Sequence, residues 1–253
     1  MSAALGPVVS AVLTLLLYAQ EEAPAPKGRL VVVGGGRMPD EVWRRLVEAP
    51  GGKAGRAAVL PYASQRDGAG DSDAKRLREL GVPEVSVPRA DDPAAVLEAI
   101  RAADLIWMPG GDQTRLMRVL SGVEGAVEAI RDRHRAGATV GGTSAGAAVM
   151  SKVMISGGSG DEVKIGEGLG LWPEAIVDQH FLKRSRQERL KAALRKHPGR
   201  LGVGIDEGTA VFVGPGSFEV VGASKAVVMD ARRGPEPRIE ELSAGSTFEL
   251  RKK

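Results

Sequence analysis

The chain has no cysteine in 253 residues. That absence excludes disulfides, thiolate metal sites and a cysteine nucleophile. The count of three histidines in all also argues against a histidine-rich metal centre. Aromatic residues make up 4%, too few for a base-stacking surface, and no basic block stands out. The 35 lysines and arginines are interleaved with 32 acids, giving a formal net charge of +3, so nucleic acid is not an expected partner. A run of the ~20 apolar residues that would span a membrane is also missing. The apolar stretch at residues 6–19 has the length of a signal-peptide core. Leu17-Tyr18-Ala19 would precede the cut, and residues 21–27 read as a flexible mature start. The expectation is an exported chain, periplasmic or extracellular, with residues 1–28 as signal and flexible N-terminus and residues 29–253 as a single α/β domain. No Lys or Arg precedes the apolar run, which keeps an uncleaved N-terminal anchor as the alternative.

What the chain has in quantity is glycine, 34 residues, placed where apolar runs end. Runs at residues 30–33, 57–60 and 105–108 alternate with amphipathic segments at 39–48, 71–80 and 92–102. Continuously apolar strands separated by helices of about ten residues predict a mainly parallel sheet covered on both faces. In such sheets functional groups gather beyond the carboxyl ends of the strands. Turns at residues 34–36, 109–112 and 141–146 fall at those ends. A dinucleotide fingerprint fails at the first of them, because Pro39 occupies the third glycine position of G-x-G-x-x-G, and the chain carries no P-loop. Residues 145–155 read as a buried helix, residues 175–177 as a short strand, and residues 184–196 as a basic helix. From residue 202 onward, short β runs predict antiparallel hairpins that extend the sheet.

Gly142-Thr143-Ser144-Ala145-Gly146 fits the G-x-S-x-G elbow, which places a nucleophilic serine on a tight strand-to-helix turn. Small residues also occur wherever a helix packs closely on a sheet, so the partners of the serine decide the reading. A serine hydroxyl needs a base. His134 lies among arginines on a charged helical segment, and His197 precedes a proline at a helix end. His180 follows an apolar strand and Asp178-Gln179, as a site residue at a strand end would. For the carboxylate that orients the histidine, Asp161, Glu162, Asp178 and Asp206 are all candidates.

Residues 109–113 (PGGDQ), 141–150 (GGTSAGAAVM), 177–181 (VDQHF) with Arg184 and Arg189, and 204–209 (GIDEGT) occur in this order. Together they resemble the cyanophycinases of the S51 serine peptidases, over roughly residues 29–230. The resemblance implies a class I glutamine-amidotransferase-like fold and hydrolysis of multi-L-arginyl-poly-L-aspartate to β-Asp-Arg dipeptides, with no cofactor or metal. It implies Ser144 as nucleophile, His180 as base and Glu162 as acid, with Gly110, Gly111 and Ala145 forming the oxyanion hole. Gln113, Asp178, Gln179, Arg184, Arg189 and Thr209 match substrate-binding positions, and a homodimer is implied as well. Asp161 competes for the acid's role, since the family's acid follows glycine directly. Two other readings are an aspartyl or isoaspartyl dipeptidase of the same family and a non-catalytic amidotransferase-like binding protein.

Overall fold

The computed structural model describes residues 26–49, 55–234 and 236–250. The expected export signal lies mostly in residues 1–25, outside the described residues. In chain order the elements are β1 (Leu30–Val33), α1 (Asp40–Glu48), β2 (Arg56–Val59), α2 (Asp71–Glu79), β3 (Glu84–Ser86), α3 (Pro93–Ala102) and β4 (Leu105–Met108). Then come α4 (Gln113–Gly122), α5 (Ala126–Ala136), β5 (Thr139–Thr143), α6 (Ala145–Ala148), β6 (Val153–Gly157), a 3-10 turn (Gly160–Glu162) and β7 (Lys164–Glu167). The last part holds β8 (Ala175–Gln179), α7 (Gln187–Lys196), β9 (Leu201–Ile205), β10 (Thr209–Val213), β11 (Ser217–Gly222), β12 (Lys225–Asp230), β13 (Arg238–Ser243) and β14 (Thr247–Glu249).

An eight-stranded sheet runs in the order β14-β11-β10-β1-β5-β4-β2-β3. Its β1-β5-β4-β2-β3 half is parallel, and β10, β11 and β14 add to it antiparallel. β1 is Leu-Val-Val-Val with every residue buried, because one face meets α1 and α2 and the other meets α3 to α6. Successive side chains point to opposite faces, so Val31 and Val33 join Trp43 and Leu46 on one side while Leu30 and Val32 join Ile130 and Val149 on the other. Helix starts follow capping chemistry. Asp92 accepts from the Ala95 amide ahead of Pro93 at the start of α3, and Asp112 accepts from the Thr114 and Arg115 amides at the start of α4.

Three expectations need correction. The helix after Ser144 ends at Ala148, far short of residue 155. Ser151 is buried and its Oγ accepts the Val177 N–H at 2.9 Å, and the backbone leaves the helix there to form the β6-β7 hairpin. The basic helix begins at Gln187, not at residue 184, because His180 and Ser185 hold left-handed backbone angles (φ 49° and 48°) that make a turn of the intervening segment. The C-terminal strands divide between two sheets: β10, β11 and β14 extend the large one, while β13-β12-β9-β8 form a second, four-stranded sheet. One face of that second sheet (Val177, Val203, Val228) joins the main core, and its other face (Ile176, Val227, Met229) is covered by Leu190, Ala193 and Leu194 of α7. Among the described residues, no helix is long and apolar enough to cross a membrane.

Candidate active site

Five strand ends converge. β5 delivers Ser144, β8 delivers His180, β9 delivers Glu207, β1 ends in Gly34-Gly36, and β4 ends just before Gly110-Gly111. Ser144 holds φ 53° and ψ −106°, a strained conformation for a residue with a side chain, and such strain marks a serine elbow. The elbow depends on a close crossing: a Cβ on Gly146 would overlap the Met108 carbonyl at the end of β4. Glycine lets the α6 backbone approach that strand.

The Ser144 hydroxyl lies 2.8 Å from His180 Nε2, and His180 Nδ1 lies 2.6 Å from Glu207 Oε1. With Glu207 Oε1 accepting a hydrogen bond from Nδ1–H, Nε2 is left free to accept the serine hydroxyl hydrogen. The His180 amide donates to the Gly34 carbonyl at 2.6 Å, and the Gly208 amide donates to the Gly35 carbonyl at 2.9 Å. Gly35 (φ 101°) lies flat against the imidazole, where any Cβ would collide with the ring, and a Cβ on Gly36 would come within 2.8 Å of the Glu207 Cβ. The glycine run that imitates a nucleotide loop is the floor beneath histidine and glutamate. Burial lowers the His180 pKa, and nearby Arg184 and Arg186 push the same way, while Glu207 opposes them. The net shift is downward and favours the neutral imidazole, the form that can accept a proton.

The expected acid is a correction. Glu162 is exposed in the 3-10 turn after β6, and its competitor Asp161 pairs with Arg195 of α7. Neither is bonded to His180, whose Nδ1 is occupied by Glu207. The turn at residues 158–162 is drawn towards α7, because Lys196 also donates to the Asp161 and Val163 carbonyls and Arg189 to the Gly158 carbonyl. Sequence reasoning passes over Glu207, although it closes the GIDE stretch at residues 204–207. Its position directly past the end of an apolar strand is the signal that could have found it.

The residues expected to bind substrate separate into frame and rim. Asp178 is fully buried and its two oxygens accept from Arg189 Nε (2.9 Å) and Nη2, with Arg186 3.6 Å away. Burial pushes its carboxyl pKa up against the pull of both guanidinium groups. Asp178 and Arg189 thus satisfy each other inside the protein, and the aspartate is not open to a substrate cation. Thr209 is buried with its hydroxyl accepting the Ser224 amide at 2.8 Å, again part of the frame. Gln179 is buried, and its carbonyl and side-chain oxygen both accept from Arg186. The Gln113 side-chain amide donates to the Ile155 and Ser156 carbonyls, tying α4 to β6. Arg184 is exposed one turn beyond His180, its amide donating to the His180 carbonyl at 3.0 Å. Arg186, which sequence reasoning does not single out, has its pKa lowered to about 10 by burial and by Arg189. Gly110 abuts the nucleophile so closely that a Cβ on it would lie 3.3 Å from the Ser144 Cβ, and Ala145 follows Ser144 directly at the start of α6. Gly111 (φ 148°) turns the chain beneath the Ala63 carbonyl, which accepts the Asp112 amide at 2.9 Å.

The family model of Peptidase family S51 matches residues 30–221. A cyanophycinase of Geminocystis herdmanii is 38% identical over 223 residues, covering 81% of this chain and 82% of that protein. A cyanophycinase of Trichormus variabilis is 38% identical over 225 residues, covering 81% of this chain and 74% of its own length. Among solved structures, a peptidase from an acI-B1 actinobacterium superposes with a TM-score of 0.70 at 25% identity, covering 89% of this chain and 98% of that one. The α/β architecture with its mainly parallel half-sheet agrees with that likeness. The serine elbow at the end of β5 lies inside the matched span, as do the histidine and glutamate beside it, and the chain belongs to peptidase family S51, a family of peptidase hydrolases.

Proposed function

We propose that this chain is a serine peptidase of the cyanophycinase type, hydrolysing multi-L-arginyl-poly-L-aspartate to β-Asp-Arg dipeptides. The observation that carries the reading is the unbroken contact from Ser144 Oγ to His180 Nε2 and from His180 Nδ1 to Glu207. As Ser144 attacks the Asp-Asp backbone carbonyl, His180 takes the hydroxyl proton and Glu207 stabilises the imidazolium. The oxyanion would face the amides of Gly110, Gly111 and Ala145; Gly110 packs against Ser144 and Ala145 follows it in the chain. His180 then gives the proton to the departing amine, and water repeats the sequence on the acyl-enzyme to free the carboxylate. The 38% identity to cyanophycinases supports the polymer as substrate. So does the exposed Arg184 one turn beyond His180, since a guanidinium group pairs with a carboxylate in bidentate fashion. Glu207 takes the acid's place in this reading. Export rests on the apolar run at residues 6–19, and sequencing the amino terminus of the secreted chain checks it.

The test is release of soluble dipeptide from insoluble cyanophycin by the purified chain beside Ser144→Ala. Dipeptide from the parent and none from the variant is the expected result. Release from neither, with short β-aspartyl dipeptides cleaved instead, would replace the polymer by the dipeptidase reading.

A further inference from the structure

Asp206 is the neighbour of Glu207, and its carboxylate is engaged away from the imidazole. Oδ1 accepts the Lys183 amide at 2.8 Å, and Oδ2 accepts the Ser224 hydroxyl at 2.8 Å. Ser224 in turn donates its amide to Thr209 Oγ1 at 2.8 Å. The circuit Asp206, Ser224, Thr209 therefore closes across the β9-β10 turn that carries Glu207. The Lys183 bond reaches into the other turn, three residues past His180. The amides of Leu182 and Glu207 also act on this carboxylate, so donors from both turns converge on one side chain. Burial raises its pKa, and the combined donors more than reverse that, holding it below the ordinary aspartate value.

Both turns need such support. His180 sits at φ 49°, a backbone conformation that a residue with a side chain keeps only when its surroundings enforce it. Glu207 keeps 32% of its side chain exposed, so packing alone does not fix its carboxylate. Direct backbone links between the two turns come from the Phe181 amide to the Ile205 carbonyl at 3.2 Å, and indirectly through Gly34 and Gly35. We propose that Asp206 is a positioning residue of the relay, one carboxylate that ties the histidine's turn to the glutamate's turn and so sets the contact between Nδ1 and Oε1. The inference rests on the serine-hydrolase reading of the site and adds to it a residue whose carboxylate bonds neither the serine hydroxyl nor the imidazole.

The experiment compares the parent with Asp206→Ala, Asp206→Asn and Ser224→Ala. Turnover is normalised to the serine titrated by an acylating probe, and the His180 pKa is followed by NMR. Asp206→Ala should lower kcat on the order of 10²-fold per titrated site with KM changed less than about 2-fold, the signature of misplaced catalytic groups. Asp206→Asn should recover part of the loss, and Ser224→Ala should fall between it and the parent. In each folded variant the His180 pKa should drop below the parent's, because the glutamate's upward pull weakens while burial and the arginines still push it down. A purely structural role would lower stability and leave both kcat per site and the His180 pKa at parent values, and that result overturns the proposal. If Asp206→Ala does not fold, an unchanged His180 pKa in Ser224→Ala overturns it equally. A parent that cleaves no β-aspartyl substrate, with the His180 pKa still lowered in the variants, would sink the substrate reading and leave the positioning role standing.

Discussion

Glu207 and Glu162 differ in one decisive respect: the first lies 2.6 Å from the imidazole, and the second stands exposed in a turn drawn towards α7. Glu207→Gln keeps the shape and removes the charge that stabilises the imidazolium. We expect kcat to fall about 10³- to 10⁴-fold, while Glu162→Gln stays within about 2-fold of the parent. Equal losses in the two would return the acid's role to the β6-β7 loop. The same pair reports on pH. The base works only when neutral, and burial keeps His180 below its usual pKa of 6.5, so the acid limb of kcat/KM should lie below that value. Loss of the Glu207 charge removes an upward pull and should move the limb lower still. Ser144 and His180 were readable from local chemistry, because a small-residue elbow and a histidine past an apolar strand carry their own signatures. Glu207 was not, since its partner lies twenty-seven residues away in the chain and the two are brought together by the fold, above the glycines of the β1 turn.

At the scale of elements, that glycine turn is the part of the site most sensitive to a single methyl group. Gly35 combines φ 101° with a ring packed against its α-carbon, so Gly35→Ala meets both backbone strain and overlap with His180. The ring must yield, and a shift of about 1 Å is worth on the order of 10² in rate. We therefore expect kcat/KM to drop by about that factor, together with a stability loss of roughly 1–3 kcal/mol in urea unfolding. A folded Gly35→Ala protein with parent activity would show that the imidazole has room the structure does not give it. Alternation of apolar runs and amphipathic segments made the parallel half-sheet legible, since β1, β2 and β4 carry their burial in composition. The division of the C-terminal strands between two sheets was not, because β10 and β12 have near-equivalent apolar patterns. Their partners are chosen by tertiary packing: β10 is drawn to β1, while β12 pairs with β9 over α7. The short α6 was also hidden, since Ser151 ends it through a bond to β8, a strand met only later in the chain.

For the whole molecule, the end of the sheet opposite the site carries a pH liability. His134 on α5 is 5% exposed, packed where the Gly28 amide donates to its carbonyl at 3.0 Å as the chain enters β1. Burial lowers its pKa from 6.5 to about 4, and Arg135 adds to the effect while a hydrogen bond with the Gly28 backbone opposes it. Arg131, Arg135 and Glu174 line the cavity beside it. Between pH 6.5 and about 4 the unfolded chain binds a proton at this residue that the folded chain does not. Stability therefore rises with pH through that window: the contribution is complete above pH 6.5 and is lost as pH falls towards 4. At 1.36 kcal/mol per pKa unit the full loss is about 3 kcal/mol, a sizeable share of the roughly 5–15 kcal/mol that holds a domain folded. Half-buried carboxylates shape the acid limb too, but they are common to the parent and to a variant at this one position. His134→Gln keeps a polar side chain and removes the titration, so the difference between the two curves isolates the histidine. Urea midpoints measured at pH 7 and pH 5 should fall less in His134→Gln than in the parent, by an amount equivalent to about 2 kcal/mol at unchanged m. Parallel curves would mean that His134 is reached by water in the folded protein and that acid sensitivity arises elsewhere.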